Sequence, residues 1–137
     1  RFSETNTRAD VDFIKKCLAK ETIVMKSKGT QKRSYCYVLD CVSAMLTVAL
    51  KGEVGGAYNI SSDSGNVQLV DFAQKLAEIA GVELMFELQN TDSGSPVQNS
   101  LLSNQKLKAL GWEEVFELSD GIQDTFRNIL VSPVKEI

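Results

Sequence analysis

Hydrophobic positions recur along this chain in two rhythms, one helical and one strand-like, and the two alternate. Val11, Ile14 and Leu18 fall at helical spacing behind Thr7 and Asp10, which stand as in a capping box, so the pattern predicts a helix over about 8–20. Thr22 to Met25 and Ser34 to Val38 are short runs of branched, aromatic and apolar residues and predict strands. Val42, Met45, Leu46, Ala49 and Leu50 occupy i, i+3, i+4, i+7 and i+8, with Asp40 placed as N-cap and Gly52 as terminator, and predict a second helix. After a turn at Gly55 and Gly56, Ala57 to Ile60 predicts another strand. Leu69, Phe72, Ala73, Leu76, Ile79 and Ala80 form a further stripe stopped by Gly81, and Val82 to Leu88 reads as a strand. Residues 89–100 read as a polar loop, Ser103 as the cap of a short helix ending at Leu110 and Gly111, and Ser119 as the cap of a last helix carrying Ile122, Phe126, Ile129 and Leu130.

This alternation predicts the α/β class, as a small mixed α+β domain spanning 1–137. A sheet of three or four such short strands leaves an edge unpaired near Ala57 to Ile60, which predicts a homo-oligomer.

Composition sets limits on function. With 137 residues, 43% hydrophobic and 24% charged, the chain fits one globular domain and neither a disordered nor a fibrous one. A net charge of −3 speaks against a general nucleic-acid binder. The absence of histidine removes Ser-His-Asp and Cys-His catalysis and His-ligated zinc. Cys17, Cys36 and Cys41 are odd in number and form no C-x-x-C pair, so reduced, partly buried thiols are expected and neither a disulfide framework nor a zinc ribbon. No apolar run reaches bilayer length, so no membrane partner is expected and the cytoplasm is the expected compartment. The chain opens on Arg1 rather than Met, in a polar stretch, as expected of either a processed product or an excised fragment.

Candidate chemistry is sparse. Lys26, Lys28, Lys32 and Arg33 put four cations and no acid around Gly29, a composition suited to a phosphate or carboxylate but equally to a solvated turn. Gly52, Gly55 and Gly56 follow a predicted helix and precede a strand, the reverse of a dinucleotide fingerprint. Asp40, Asp63 and Asp71 read as caps or turn residues, Tyr35 and Tyr37 as packing residues on one strand face, and Met25 and Met45 as core fillers. No catalytic set and no metal-ligand spacing emerges.

The stretch Gly29-Thr30-Gln31-Lys32-Arg33-Ser34-Tyr35-Cys36-Tyr37-Val38-Leu39-Asp40 is similar to a G-x-x-x-R-x-aromatic-x-Tyr/His-V-x-D segment of NAD-dependent sugar-nucleotide epimerases and dehydratases, the extended short-chain dehydrogenase/reductase family. Gly55 to Ser61 resembles the family's G-x-x-Tyr/Phe-N-Ile/Leu strand, Val67-Gln68-Leu69 its helix start, Leu107 to Trp112 its K-x-x-x-L-G-Trp/Tyr signature, and Gly121-Ile122 its E-G-Ile/Leu pattern, with Asp120 in place of the acid. The resemblance covers most of 8–130.

The resemblance implies the C-terminal substrate-binding portion of a longer enzyme. The glycine-rich dinucleotide motif and the Tyr-x-x-x-Lys pair of the family are absent from this sequence. It therefore implies no cofactor in this chain, NAD or NADP in the parent, and two partners: a nucleotide-diphosphate sugar and the missing N-terminal Rossmann domain. Arg33 matches the family arginine that grips the diphosphate. Val24 and Lys26 match the extended segment whose backbone meets the nucleobase, although Lys26 replaces an aromatic residue common there. The loop 89–100 lacks the second arginine of the family's clamp, and Gln98 or Asn99 would offer neutral hydrogen bonds instead. The implied function is nucleotide-sugar binding for an epimerase or 4,6-dehydratase, with no turnover by this chain alone. The competing reading is a non-catalytic nucleotide-binding or protein-interaction module of the same architecture.

Overall fold

Five helices and five short strands make up the described residues, 8–88 and 97–131, of the computed structural model. In chain order they are α1 (Ala9–Ala19), β1 (Ile23–Met25), β2 (Lys32–Ser34), α2 (Val38–Lys51), β3 (Asn66–Gln68), α3 (Leu69–Ala80), β4 (Leu84–Phe86), β5 (Asn99–Ser100), α4 (Gln105–Ala109) and α5 (Leu118–Val131). The class is mixed α and β, as the alternating rhythms predict. The strands form two small sheets rather than one: β1 pairs β4 in parallel, while β2 lies between antiparallel β3 and parallel β5.

The core is built on α3. Its Leu69, Phe72, Ala73, Leu76, Ala77 and Ala80 are buried against Phe13 and Cys17 of α1, Ile23 and Met25 of β1, and Ile122 and Phe126 of α5. Each large apolar side chain removed from water there contributes about 1.5–3 kcal/mol. The ends of α3 are set locally: the Gln68 N–H donates to the Asp71 carboxylate at 3.3 Å, and Gly81 takes a left-handed φ of 65° that lets the Val82 N–H reach the Ala77 carbonyl at 3.0 Å. A smaller cluster joins buried Ala44 of α2 to Leu107 of α4 and Trp112.

Several expectations need correction. The second predicted strand lies earlier, at Lys32–Ser34, because the bonds to β3 and β5 fall there; Tyr35 to Tyr37 form the connection to α2, with Tyr35 stacked on Phe72 and Tyr37 against Phe116. Asp40 is not the N-cap of α2. Tyr37 holds that place, and Asp40 sits inside the first turn, 1% exposed, accepting the N–H groups of Val115 and Phe116 at 3.1 and 3.0 Å. Its short acceptor side chain suits a cap, but here it clamps a distant segment. The apolar stripe of α2 faces outward, and Met45, expected in the core, is 58% exposed.

Ala57 to Ile60 forms no strand, which removes the edge on which the expected self-association rested. The N-cap of α1 is Arg8, without a side-chain cap bond, and Thr7 lies outside the described residues. Helix α4 is capped one residue later than expected, at Asn104, and α5 begins at Leu118, ahead of Ser119. In the segment expected as a loop, 89–96 lie outside the described residues, while Asn99–Ser100 pair with β2. No helix among the described residues is long and apolar enough to cross a membrane.

Candidate functional site

Arg33 occupies the middle of the middle strand. Its Cα stands opposite Val67 of β3 on one side and Ser100 of β5 on the other, so its backbone is held from both edges. The turn before β2 is equally constrained. Gly29 has φ 66° and a carbonyl that accepts the Val70 N–H at 3.0 Å, and a Cβ there would fall 3.0 Å from the Val70 backbone nitrogen. Gln31 accepts the Leu69 N–H at 3.0 Å, and Ser34 donates to the Asn66 side chain at 2.6 Å while accepting the Leu102 N–H at 2.9 Å. The local folding that matters is thus the anchoring of β2 to the start of α3 and to the segment around 98–102.

Beside Arg33 opens a cavity of about 540 Å³, within the range of small-molecule sites. Arg33, Arg8, Asp10, Gln31, Ser34 and Ser100 supply its polar lining; Tyr35, Leu69 and Leu102 supply aromatic and apolar surface. The Arg33 guanidinium donates to the Lys32 carbonyl at 2.7 Å. Arg8 grips Asp10 with two bonds, 3.1 and 2.6 Å. Two guanidiniums and one carboxylate are thus among the lining residues. Burial pushes the Tyr35 hydroxyl up to about 12, with the Asp10 carboxylate adding to the rise and Arg33 and Arg8 opposing it, so the phenol is neutral at physiological pH. Fixed cations and hydroxyls next to an aromatic and apolar platform match a ligand that joins an anionic group to a flat ring.

The sequence-based candidates are divided by this geometry. Arg33 lines the cavity. Gln98 lies beside β2, its carbonyl accepting the Lys32 N–H at 2.8 Å, but is not among the lining residues. Val24 is in β1, paired with Met85 in the other sheet, and Lys26 is exposed just beyond it; neither lines the cavity. Arg8, Asp10, Gln31 and Ser100 were missed. Ser100 arrives through a two-residue strand, too short for any periodic signal. Arg8 could have been marked by its place at the start of a helix that precedes a basic segment.

A second cavity of about 340 Å³ lies between Tyr35, Tyr37, Phe72, Phe116, Ile122 and Phe126. Its character is apolar. The Tyr37 hydroxyl donates to the Asp124 carboxylate, a bond that raises its pKa, and no convergent charge makes it an anion site. For a dinucleotide the residues present do not fit: the turn at Gly55 and Gly56 follows α2 and leads into an extended segment, so no glycine turn opens a helix there.

The NAD dependent epimerase/dehydratase family model matches residues 1–61. Over 98% of its length the chain is 27% identical to UDP-glucuronic acid decarboxylase 6 of Arabidopsis thaliana, of which it spans 40%. Among solved structures it is similar to the UDP-glucose 4-epimerase of Thermotoga maritima in complex with UDP-glucose, with 28% identity, a TM-score of 0.71, and coverage of 90% of this chain and 40% of that one. It is likewise similar to the Bordetella bronchiseptica enzyme WbmF in complex with NAD+ and UDP, with 26% identity, a TM-score of 0.72, and coverage of 90% and 37%. By sequence and by fold, the chain is similar to members of the NAD-dependent epimerase/dehydratase family, and it spans about two fifths of the length of the three relatives named here.

Proposed function

We propose that this chain is the nucleotide-sugar binding portion of an epimerase or 4,6-dehydratase, holding the diphosphate at Arg33 and leaving the cofactor to the rest of a longer polypeptide. The observation that carries this reading is the cavity at the middle strand, lined by Arg33, Arg8 and Ser100 together with Tyr35, Leu69 and Leu102. A diphosphate presents oxygens that a guanidinium engages with two parallel bonds, and binding would draw Arg8 partly away from Asp10. Holding the sugar nucleotide in place lowers the entropic cost of the reaction, which is the contribution this portion makes. The family resemblance would further give Val24 and Lys26 main-chain contacts to the nucleobase and Gln98 a neutral hydrogen bond to the diphosphate, from outside the lining of this cavity.

The relatives support this chemistry class, since solved structures similar to this chain contain UDP-glucose or UDP. The chain alone carries no dinucleotide turn and no Tyr-x-x-x-Lys pair, so it should bind without turning over. The test uses the longer polypeptide with NAD or NADP and a panel of UDP-, dTDP- and GDP-sugars. Epimerised or dehydrated product from the longer polypeptide, and none from the 137-residue chain, is the expected result. No product with any of them would remove the assignment and favour a non-catalytic module.

A further inference from the structure

Two of the three cysteines meet at the start of α2. Tyr37 is the N-cap of that helix, so Cys36 stands just ahead of the cap and Cys41 at the fourth helical position. Residues at these two places pack on one another and fix the angle at which the chain enters a helix. Apolar side chains are usual there; here both are thiols. The Cys41 N–H donates to the Tyr37 carbonyl at 2.9 Å, which seats Cys41 in the first turn, and its thiol donates back to the Cys36 carbonyl at 3.9 Å. The Cys36 thiol donates to the Tyr37 carbonyl at 3.7 Å. Both residues are half-buried, and Cys36 also lines the apolar cavity between Tyr35 and Phe126, from which a small molecule reaches its sulfur. Cys17 differs from both: it is 2% exposed and packed in the core with α3.

Burial, a hydrogen bond with the Cys41 thiol, and the nearby Asp40 and Glu114 carboxylates push the Cys36 thiol up to about 12. It therefore stays protonated at physiological pH, and the pair rests in its reduced form. We propose that Cys36 and Cys41 are a site of reversible oxidation, at which a hydroperoxide closes a disulfide across the first turn of α2. One sulfur attacks the outer peroxide oxygen and the O–O bond breaks, giving a sulfenic acid and an alcohol, or water where the oxidant is hydrogen peroxide. The second sulfur then displaces the hydroxyl, which leaves as water with the second thiol's proton while the S–S bond forms. The thiol pair gives up two electrons and two protons in all, and the peroxide gains them. The bond pins the connection from Tyr35 to Tyr37 onto α2, stiffening the path from the Arg33 strand into that helix, while neither cysteine lines the cavity beside Arg33.

The experiment exposes the 137-residue chain to hydrogen peroxide for long enough to oxidise dithiothreitol completely, blocks the remaining thiols with N-ethylmaleimide in denaturant, and digests the product with trypsin. Cys36 and Cys41 fall in one peptide, 34–51, and Cys17 in another, 17–20. The expected product is a monomer whose peptide 34–51 has lost two hydrogen atoms and takes up no maleimide, while Cys17 takes up one. Dithiothreitol restores both thiols. The disulfide form melts a few degrees above the reduced form, because the bond constrains the unfolded chain. Cys41→Ser abolishes that shift. Maleimide on both Cys36 and Cys41, oxygen retained on either sulfur, a cross-link between two copies, or a disulfide form that melts no higher than the reduced one would each overturn the proposal.

Discussion

Helices α2 and α3 carry apolar stripes with the same periodicity and opposite fates. In α3, Leu69, Phe72, Leu76 and Ala80 are between 1% and 8% exposed; in α2, Val42, Met45, Leu46 and Leu50 are between 46% and 84% exposed. Periodicity dictates that each segment forms a helix and which residues share a face. It carries no information about what that face meets. For α3 the partners lie within the chain, on α1, β1 and α5. For α2, the described residues supply partners to the narrow edge around Ala44 and leave the stripe itself exposed.

Substitutions can break this comparison, and the largest effect belongs to α3. Leu76→Ala removes a fully buried side chain and should cost about 2–5 kcal/mol in denaturant unfolding. Next is Asp40→Ala, which leaves the Val115 and Phe116 N–H groups without their acceptor and should cost about 1–3 kcal/mol, with the 112–118 segment gaining hydrogen exchange ahead of α3. Tyr35 stands where the α3 core meets the cavity and gives a pH signature. Its folded pKa of about 12 lies above the ordinary 10.0, so the stability it contributes is complete below pH 10 and is lost as pH rises toward 12. Tyr35→Phe should flatten that alkaline fall. The smallest effect is Leu46→Ala, within about 0.5 kcal/mol in the isolated chain. A cost for Leu46→Ala comparable to that of Leu76→Ala would mean that the two faces are equally covered and would end the contrast.

The same comparison explains how much was legible in the sequence. Segments whose neighbours are local or self-contained read correctly: α3 with its Gly81 stop, α1, and β1. Asp40 misled because a short carboxylate near a helix start satisfies local donors in most folds, whereas here its acceptors serve residues 75 and 76 positions away. Ala57 to Ile60 misled because branched and aromatic residues favour extended backbone whether or not a partner strand exists. For the site, Arg33 was visible through its motif. Its companions Arg8 and Ser100 were not, because they reach it through tertiary pairing of β2 with β5 and the placement of α1.

The most direct test of the account is a calorimetric titration of the protein with UDP, comparing the unaltered chain with Arg33→Ala and with Lys106→Ala, whose lysine lies on α4 and not in the cavity lining. The account predicts about 10- to 100-fold weaker binding for Arg33→Ala, the value of a charged hydrogen-bond pair, and unchanged binding for Lys106→Ala. Equal affinity in all three proteins would contradict it.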